Sequence, residues 1–150
     1  MTTVWFYKTF DALSTNQLYQ ILKLRNEVFV VEQNCPYLDC DNKDQKCDHL
    51  WAMINNDIAA YARIVPAGVS YKEVSIGRVL SNPAYRKQKI GRELMRRAVD
   101  NIMDQYGAVD IRIGAQLYLK AFYESFGFQQ ASEEYLEDGI PHIEMLRKPQ

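Results

Sequence analysis

Residues 76–95 limit the possible folds most strongly, because they read as a strand, a turn and the start of a helix. An apolar and β-branched run ends at Ser81-Asn82-Pro83, and a basic segment with the single glycine Gly91 follows. Apolar residues then recur at helical spacing. They are Ile90, Leu94, Ala98 and Ile102. The pattern predicts a helix that begins directly after a strand and a short basic turn.

Such a junction is suited to bind an anion. The first N–H groups of a helix have no partner within the helix, and the helix dipole adds positive potential there. Lys87, Lys89 and Arg92 add positive charge, and Gly91 allows the backbone to approach a ligand closely. The segment is not a Walker A loop, because no Gly-Lys-Ser/Thr follows, nor a dinucleotide fingerprint, because two glycines are missing. An ordinary turn with a solvated basic face is the alternative.

Length and charge restrict the class of protein. The chain has 150 residues, which we expect to form one domain over 1–150. Its formal net charge of −1 gives no overall attraction to nucleic acid or to an anionic membrane. No apolar run reaches the ~18 residues of a membrane span, and the N-terminal sequence lacks a signal-peptide pattern. We therefore expect a cytoplasmic protein without nucleic-acid or membrane partners.

The order of apolar runs and turn signals predicts a mixed α/β fold. A strand over 4–7 precedes a helix that begins after Ser14, with capping-box spacing to Gln17, and runs to about residue 29. Further strands are predicted over 51–54, 58–65, 69–80, 109–113, from 128 and over 142–146, with helices over 89–106 and 116–126. Short turns indicate antiparallel pairing in the first half, and a strand–helix–strand crossover is predicted in the second.

Several segments in this order resemble the GNAT superfamily of acyl-CoA-dependent N-acyltransferases. These are RKQKIG at 86–91 after a strand and YLKAFYESFGF at 118–128. Within that superfamily, further segments are similar to the ElaA-like acyltransferases: RNEVFVVEQ at 25–33, CPY at 35–37, HL at 49–50, IGRV at 76–79, AQ at 115–116 and DGIPHIEM at 138–145. The resemblance extends over nearly the whole chain. It implies the GNAT fold, a mostly antiparallel sheet flanked by helices, and transfer of an acyl group, expected to be acetyl, from acetyl-CoA to a primary amine.

The resemblance also implies where CoA binds. Main-chain amides of the central loop hold the CoA diphosphate in these enzymes, and here Lys89 stands where the first glycine is usual. Lysine can offer its N–H there if its φ is negative. The preceding strand would pair with the amides of the pantetheine arm. This pairing requires the edge of that strand at Val79 to splay from the strand at 111–113, which the family usually achieves through a bulge. The implied CoA-binding residues are Val79, Leu80, Ser81, Arg86, Lys87, Gln88, Lys89, Ile90, Gly91, Arg92, Gln116 and Tyr123.

The catalytic assignments follow from the same resemblance. Tyr123 matches the tyrosine that lies near the thioester sulfur and protonates the departing thiolate, although packing against the sheet is the alternative. The proton acceptor for the amine is open among Glu32, His49, His142 and Glu144. We favour Glu32 and His49 for catalysis, and Glu32, His142 and Glu144 for binding the acceptor. Direct attack in a ternary complex is expected, since no cysteine or serine lies in a recognisable nucleophile motif.

Other charged and sulfur-containing residues support weaker hypotheses. Arg63 and Arg78, if they point inward, are expected to pair with acids such as Glu32 or Glu144. The acidic loop at 39–48 is interpreted as solvated, because it lacks the glycine and glutamate of a calcium loop. The three cysteines, Cys35, Cys40 and Cys47, are expected to be reduced thiols. With His49 they lack the paired spacing of a zinc site, so no metal is expected.

The acceptor is expected to be a small-molecule or peptide amine, and its identity stays open, as does a homodimer formed through strand edges. Two other functions remain possible from the sequence. One is a non-catalytic acyl-CoA-binding or protein-interaction module, and the other is a nucleotide-binding protein that uses the same basic loop.

Overall fold

The computed structural model describes residues 2–150 and contains two antiparallel sheets. The first sheet has the order β1 (Val4–Thr9), β2 (Asp48–Ile54), β3 (Asp57–Val65) and β4 (Ser75–Ser81). The second sheet consists of β5 (Ile111–Gln116), β6 (Phe128–Gln130), β7 (Tyr135–Glu137) and β8 (Ile140–Arg147), and β8 pairs with each of the other three. The predicted mixed α/β fold with mostly antiparallel pairing is confirmed.

The helices begin and end at local sequence signals. Helix α1 (Thr15–Arg25) begins with the predicted capping box, in which the Ser14 Oγ accepts from the Gln17 N–H at 3.0 Å. It continues as a π-helix over Asn26–Glu32, beyond the predicted end. Helix α2 (Ile90–Tyr106) ends at Gly107, where φ is +81°. Helix α3 (Lys120–Glu124) is shorter than predicted, because a 3-10 turn precedes it.

Two strands begin later than predicted. Strand β4 begins at Ser75, because the Gly68 N–H donates to the Tyr71 carbonyl at 2.7 Å and the chain turns before the strand. Strand β5 begins at Ile111, since the Val109 N–H donates to the Gly107 carbonyl at 3.0 Å. Both shifts follow from turns that occupy residues that we had assigned to strands.

The first sheet is covered on both faces. The predicted apolar face of α2 is buried on one of them, and its central residues Leu94, Met95, Ala98 and Ile102 are fully inaccessible to solvent. On the other face, Ile21 and Leu24 of α1 pack against Trp51 and Tyr61. Every residue of β3 after Asp57 is therefore buried. No helix within residues 2–150 is both long and apolar enough to cross a membrane.

A single backbone bridge joins the two sheets. A parallel bridge joins Val74 to Ile111, and the Arg112 N–H donates to the Val74 carbonyl at 3.0 Å. Beyond this bridge β4 and β5 belong to separate sheets and form no ladder. The strands therefore diverge, and the gap between them becomes the base of a cleft.

Candidate active site

The cleft between the sheets has a volume of about 890 Å³. Strands β4 and β5 form its base, and the N-terminus of α2 and the helix α3 form one side. The π-helix and the β7–β8 turn close the other side. Residues such as Leu80, Gly91, Gln116, Tyr123 and His142 thus share one cavity, although they are far apart in the sequence.

Strand β4 contains a bulge at Arg78 and Val79 and diverges from β5. In the ladder with β3, Gly77 is opposite Arg63 and Leu80 is opposite Tyr61, so β4 has one residue more than β3 in this interval. Arg78 takes a left-handed φ of +50°. The predicted splay and bulge are confirmed. Because β5 does not cover this edge of β4, an extended ligand that carries amide groups can pair with it.

The basic loop after β4 contains a left-handed lysine. Pro83–Gln88 forms a 3-10 segment, and Lys89, with φ +55° and ψ +28°, connects it to α2. The condition for a main-chain role of Lys89 in binding CoA, a negative φ, is not met. A left-handed conformation brings Cβ close to the following carbonyl oxygen, and glycine avoids this contact. The Lys89 N–H also lies 3.4 Å from the Arg86 carbonyl, so it is directed into the turn.

The N-terminus of α2 is left open to the cleft. No side chain in the described chain caps this helix, so the N–H groups of Ile90, Gly91 and Arg92 lack helical partners. The Arg92 guanidinium lies 4.9 Å from the centre of the Phe126 ring and pairs with no carboxylate of residues 2–150. Lys89 and Arg92 line the cleft. These groups fit an anion such as a diphosphate.

The side chain of Tyr123 projects into this cleft from α3. It is only 6% exposed, and its ring contacts Phe122 and Phe128. Its hydroxyl has no hydrogen-bond partner within the described chain, so it is available to a ligand. Burial, followed by the neighbouring Tyr118, raises the pKa of Tyr123 to about 12. The phenol is therefore protonated at neutral pH and can donate.

Comparison with known proteins identifies the family. Residues 14–148 match the family model described as an acetyltransferase (GNAT) domain. This chain belongs to the GNAT acetyltransferase family. The predicted resemblance to GNAT proteins is thereby confirmed, and acyl transfer from CoA is the chemistry that this family supports.

Individual relatives agree with this GNAT assignment. The chain is 44% identical to protein ElaA of Escherichia coli over 138 residues, which are 91% of this chain and 90% of that protein. An acyl-CoA N-acyltransferase from Pseudomonas aeruginosa has a TM-score of 0.93 at 39% identity, covering 97% of this chain and 99% of that one. The crystal structure of E. coli ElaA has a TM-score of 0.92 at 40% identity, covering 98% and 100%.

Most of the predicted CoA residues of this GNAT chain reach the cleft. Those that line it are Val79, Leu80, Ser81, Arg86, Lys89, Gly91, Arg92, Gln116 and Tyr123. The side chains of Lys87 and Gln88 point to solvent, and Ile90 packs into the core with 6% exposure. Of these three residues, only Ile90 remains suited to bind CoA, through its main-chain N–H at the start of α2.

The acidic loop of the GNAT chain is not solvated, contrary to our expectation. Asp39 and Asp44 are buried, with exposures of 4% and 7%. Arg25 is fully buried, and its Nε and Nη1 donate to these two carboxylates at 2.8 and 2.7 Å. Burial alone would raise the pKa of Asp44, but hydrogen bonds from Arg25 and Arg63 outweigh it and hold that pKa below its ordinary value. The loop is therefore fastened to α1 and β3.

The expected partners of Arg63 and Arg78 are also wrong. Arg63 pairs with Asp41 and Asp44, and Arg78 pairs with Asp39 and Asp41. All three carboxylates belong to the acidic loop, which crosses β3 and β4 at this point. The loop thus supplies one wall of the cleft, to which Asp41 contributes.

The four candidate proton acceptors of the GNAT site occupy different environments. Glu32 lines the cleft, but Arg86 binds both of its carboxylate oxygens, which lowers the pKa of Glu32. Glu144 lies outside the cleft and pairs with Arg112 at 3.0 Å. His142 lines the cleft and is 8% exposed.

His49, favoured from the sequence, is not brought to the GNAT cleft. It is completely buried in β2, with Nδ1 2.7 Å from the Tyr61 hydroxyl and Nε2 3.0 Å from the Asp44 carbonyl. Burial lowers its pKa. Both ring nitrogens are occupied, so His49 joins the acidic loop to the sheet instead of facing a substrate.

Among the cleft residues that reasoning from the sequence missed, two acidic ones lie in a turn next to His142. Glu137 and Asp138 lie in the β7–β8 turn and face the cleft beside His142. The Asp138-Gly139 pair had indicated a turn, which was the available signal. Nothing in the local sequence showed that this turn reaches the cleft.

Proposed function

We propose that the protein transfers an acetyl group from acetyl-CoA to a primary amine by direct attack in a ternary complex. The observation that carries the proposal is a continuous path in one cleft. It runs from the free edge of β4 to the open N-terminus of α2, with the unpartnered hydroxyl of Tyr123 beside it. The acceptor in this proposal is a small-molecule or peptide amine.

The residues of this path fit the chemical parts of CoA. The N–H groups of Ile90, Gly91 and Arg92, with the charges of Lys89 and Arg92, would hold the diphosphate. The exposed edge of residues 79–81 would pair with the amides of the pantetheine arm. Acetyl-CoA supplies an activated acyl carbon when it is bound. Both sites lie on consecutive elements, so their spacing is set by the bulge and the loop.

Tyr123 would donate a hydrogen bond to the departing sulfur. Its pKa of about 12 exceeds the ordinary thiol pKa of about 8.5, so complete proton transfer to a thiolate would be uphill by about 5 kcal/mol. A hydrogen bond that strengthens as charge develops on sulfur has no such cost. The proposed role is therefore stabilisation of the leaving group, and water supplies the proton after release.

Direct attack is supported by the surroundings of the cleft cysteine. Cys35 lines the cleft, but its thiol lies 3.7 Å from the Asp138 carbonyl oxygen and forms no hydrogen bond with a histidine or carboxylate in the described chain. A nucleophilic thiol needs an adjacent base or a lowered pKa. The arrangement offers no such base.

The variant Tyr123→Phe tests the proposal. We expect acetyl-CoA to raise the unfolding midpoint of wild type and variant alike, because ligands that bind the native state stabilise it. Turnover, measured as thiol release across a panel of primary amines, should fall about 100-fold or more in the variant. Binding without thiol release in either protein would contradict the enzyme and favour a non-catalytic acyl-CoA module. A midpoint raised by ATP but not by CoA would favour a nucleotide-binding protein.

A further inference from the structure

We propose that His142 accepts the proton of the attacking ammonium group and that Glu137 is a positioning residue for its ring. The inference rests on the proposed acyl transfer and names the base for it. His142 lies in β8, opposite Gln116 of β5 and Tyr135 of β7. The ring is 8% exposed and lines the cleft that also contains Tyr123.

The contacts of the His142 ring determine which nitrogen carries the proton. Nδ1 lies 2.7 Å from the Ile140 carbonyl oxygen, which can only accept, so Nδ1 carries the hydrogen. In the neutral ring Nε2 therefore has the lone pair. The ring of Tyr135 stacks on the imidazole at 5.9 Å and 26°, which restrains its plane. His142 is thus fixed as an acceptor at Nε2.

Glu137 lies next to that acceptor atom. Its Oε2 is 3.4 Å from Nε2, longer than an ordinary N–H···O hydrogen bond, so the lone pair remains accessible. When Nε2 takes a proton, the carboxylate stabilises the imidazolium. The Glu137 side chain is 60% exposed, so solvent screens this attraction and its effect is modest.

The other three candidates are less suited to accept a proton in the cleft. Both nitrogens of His49 are bonded inside the core, both oxygens of Glu32 bind Arg86, and Glu144 pairs with Arg112 outside the cleft. Of the four, only His142 combines a position in the cleft with a proton-accepting atom that is neither paired with a cation nor enclosed in the core.

The protons balance in two steps. The acceptor ammonium first loses one proton to Nε2 of His142, which leaves an amine lone pair. That lone pair forms the bond to the acyl carbon while the carbon–sulfur bond breaks and its electrons stay on sulfur. The amide nitrogen loses a second proton, the thiolate gains one and becomes the thiol, and the imidazolium returns its own proton to solvent. The net products are an amide, a thiol and one proton.

Tyr135 and Glu137 of β7 contact the His142 ring. Tyr71 of the β3–β4 connection, Arg112 of β5 and Glu144 of β8 lie near these two groups. Arg112 is paired with Glu73 and Glu144 at 3.2 and 3.0 Å, so its charge is compensated. Glu137 is the carboxylate in contact with the ring.

The decisive variant is His142→Asn, because the asparagine amide can still donate to the Ile140 carbonyl but has no basic nitrogen. We expect kcat/KM to fall about 100-fold or more and the acidic limb of its pH profile to disappear. Glu137→Gln should lower kcat by only about threefold to tenfold and leave the KM for acetyl-CoA unchanged, since the imidazolium loses a neighbouring negative charge but the cofactor contacts remain. Glu134→Gln, which removes a charge from an exposed residue outside the cleft, is the matched control and should change neither.

Acetyl-CoA and a panel of diaminobutane, phenylethylamine and a lysine-containing peptide serve as substrates. The midpoint shift with acetyl-CoA is measured for each variant and should stay at the wild-type value, which separates loss of catalysis from loss of folding or cofactor binding. An active wild type with a His142→Asn variant that keeps the acidic limb and most of its kcat/KM would overturn the role of His142 alone. If His142→Asn fails to fold, an unchanged kcat in Glu137→Gln has the same meaning. A wild type that transfers nothing to any amine would overturn the proposed function and this inference together.

Discussion

Replacing Lys89 by glycine should stabilise the protein and weaken its binding of CoA. Lys89 is exposed, with φ +55° and ψ +28°. A left-handed conformation costs a residue other than glycine roughly 1–2 kcal/mol. Glycine loses about 0.5–1 kcal/mol more backbone entropy on folding. The difference leaves a net gain of about 0.5–1 kcal/mol, which should raise Tm by about 1–4 °C in a chain of this size.

Lys87→Gly is the matched control, because Lys87 is also exposed and carries the same charge. It lies in the 3-10 segment Pro83–Gln88 and has no positive φ. Glycine relieves no backbone strain at this position, and its greater loss of backbone entropy on folding should lower the free energy of unfolding by about 0.5–1 kcal/mol. Both variants carry the same net charge, so their free energies of unfolding can be compared directly, by heat and by urea without ligand. The two values should differ by about 1–2 kcal/mol, with Lys89→Gly above wild type and Lys87→Gly below it.

The same pair separates stability from ligand binding. Lys89 lines the cleft and Lys87 does not. An exposed ion pair contributes about 0.2–1 kcal/mol, so Lys89→Gly should weaken CoA binding by about 1.4-fold to fivefold in calorimetric titration, and Lys87→Gly should not. If Lys89→Gly lost as much stability as Lys87→Gly, the strain assigned to Lys89 would be refuted.

Three further results are expected. Arg25→Met should lower the free energy of unfolding in urea by about 3–5 kcal/mol, because the buried carboxylates of Asp39 and Asp44 would each lose one cationic partner. A loss under about 1 kcal/mol would contradict this. Since the folded pKa of Asp44 is lowered, the unfolded chain binds protons at higher pH than the folded one. The urea midpoint should therefore be constant near neutral pH and decrease as the pH drops below about 4. An unchanged midpoint at pH 3 would contradict this contribution of Asp44 to stability. Glu32→Gln should tighten CoA binding about twofold to fivefold, because it releases Arg86 to bind the diphosphate. Weaker binding in calorimetry would exclude competition between Glu32 and the diphosphate for Arg86.

The elements that the sequence predicted well depend on neighbouring residues. The capping box at Ser14, the stop at Gly107 and the apolar face of α2 each involve residues within a few turns of one helix. The basic turn before α2 was likewise read from consecutive residues. Such features need no knowledge of distant parts of the chain, because helix hydrogen bonds and turn conformations are local.

Partners across the cleft were predicted poorly. Glu32 and Arg86 are separated by 54 positions, and Arg78 and Asp39 by 39. Charge alone shows that each guanidinium needs a carboxylate, but 19 acidic residues offer many choices. The folded path of the acidic loop selects among them, which is why the expected pairs of Arg78 were wrong.

By itself, the sequence determined the family, the fold class and the location of the turn that we propose to bind the diphosphate, since these depend on motif order and on local backbone preferences. Only the tertiary structure decided that His49 is enclosed in the core while His142 reaches the cleft, and that Lys89 is left-handed. The physical reason is that burial and ion pairing are set by which surfaces meet when the two sheets diverge. No spacing along the chain encodes that geometry directly.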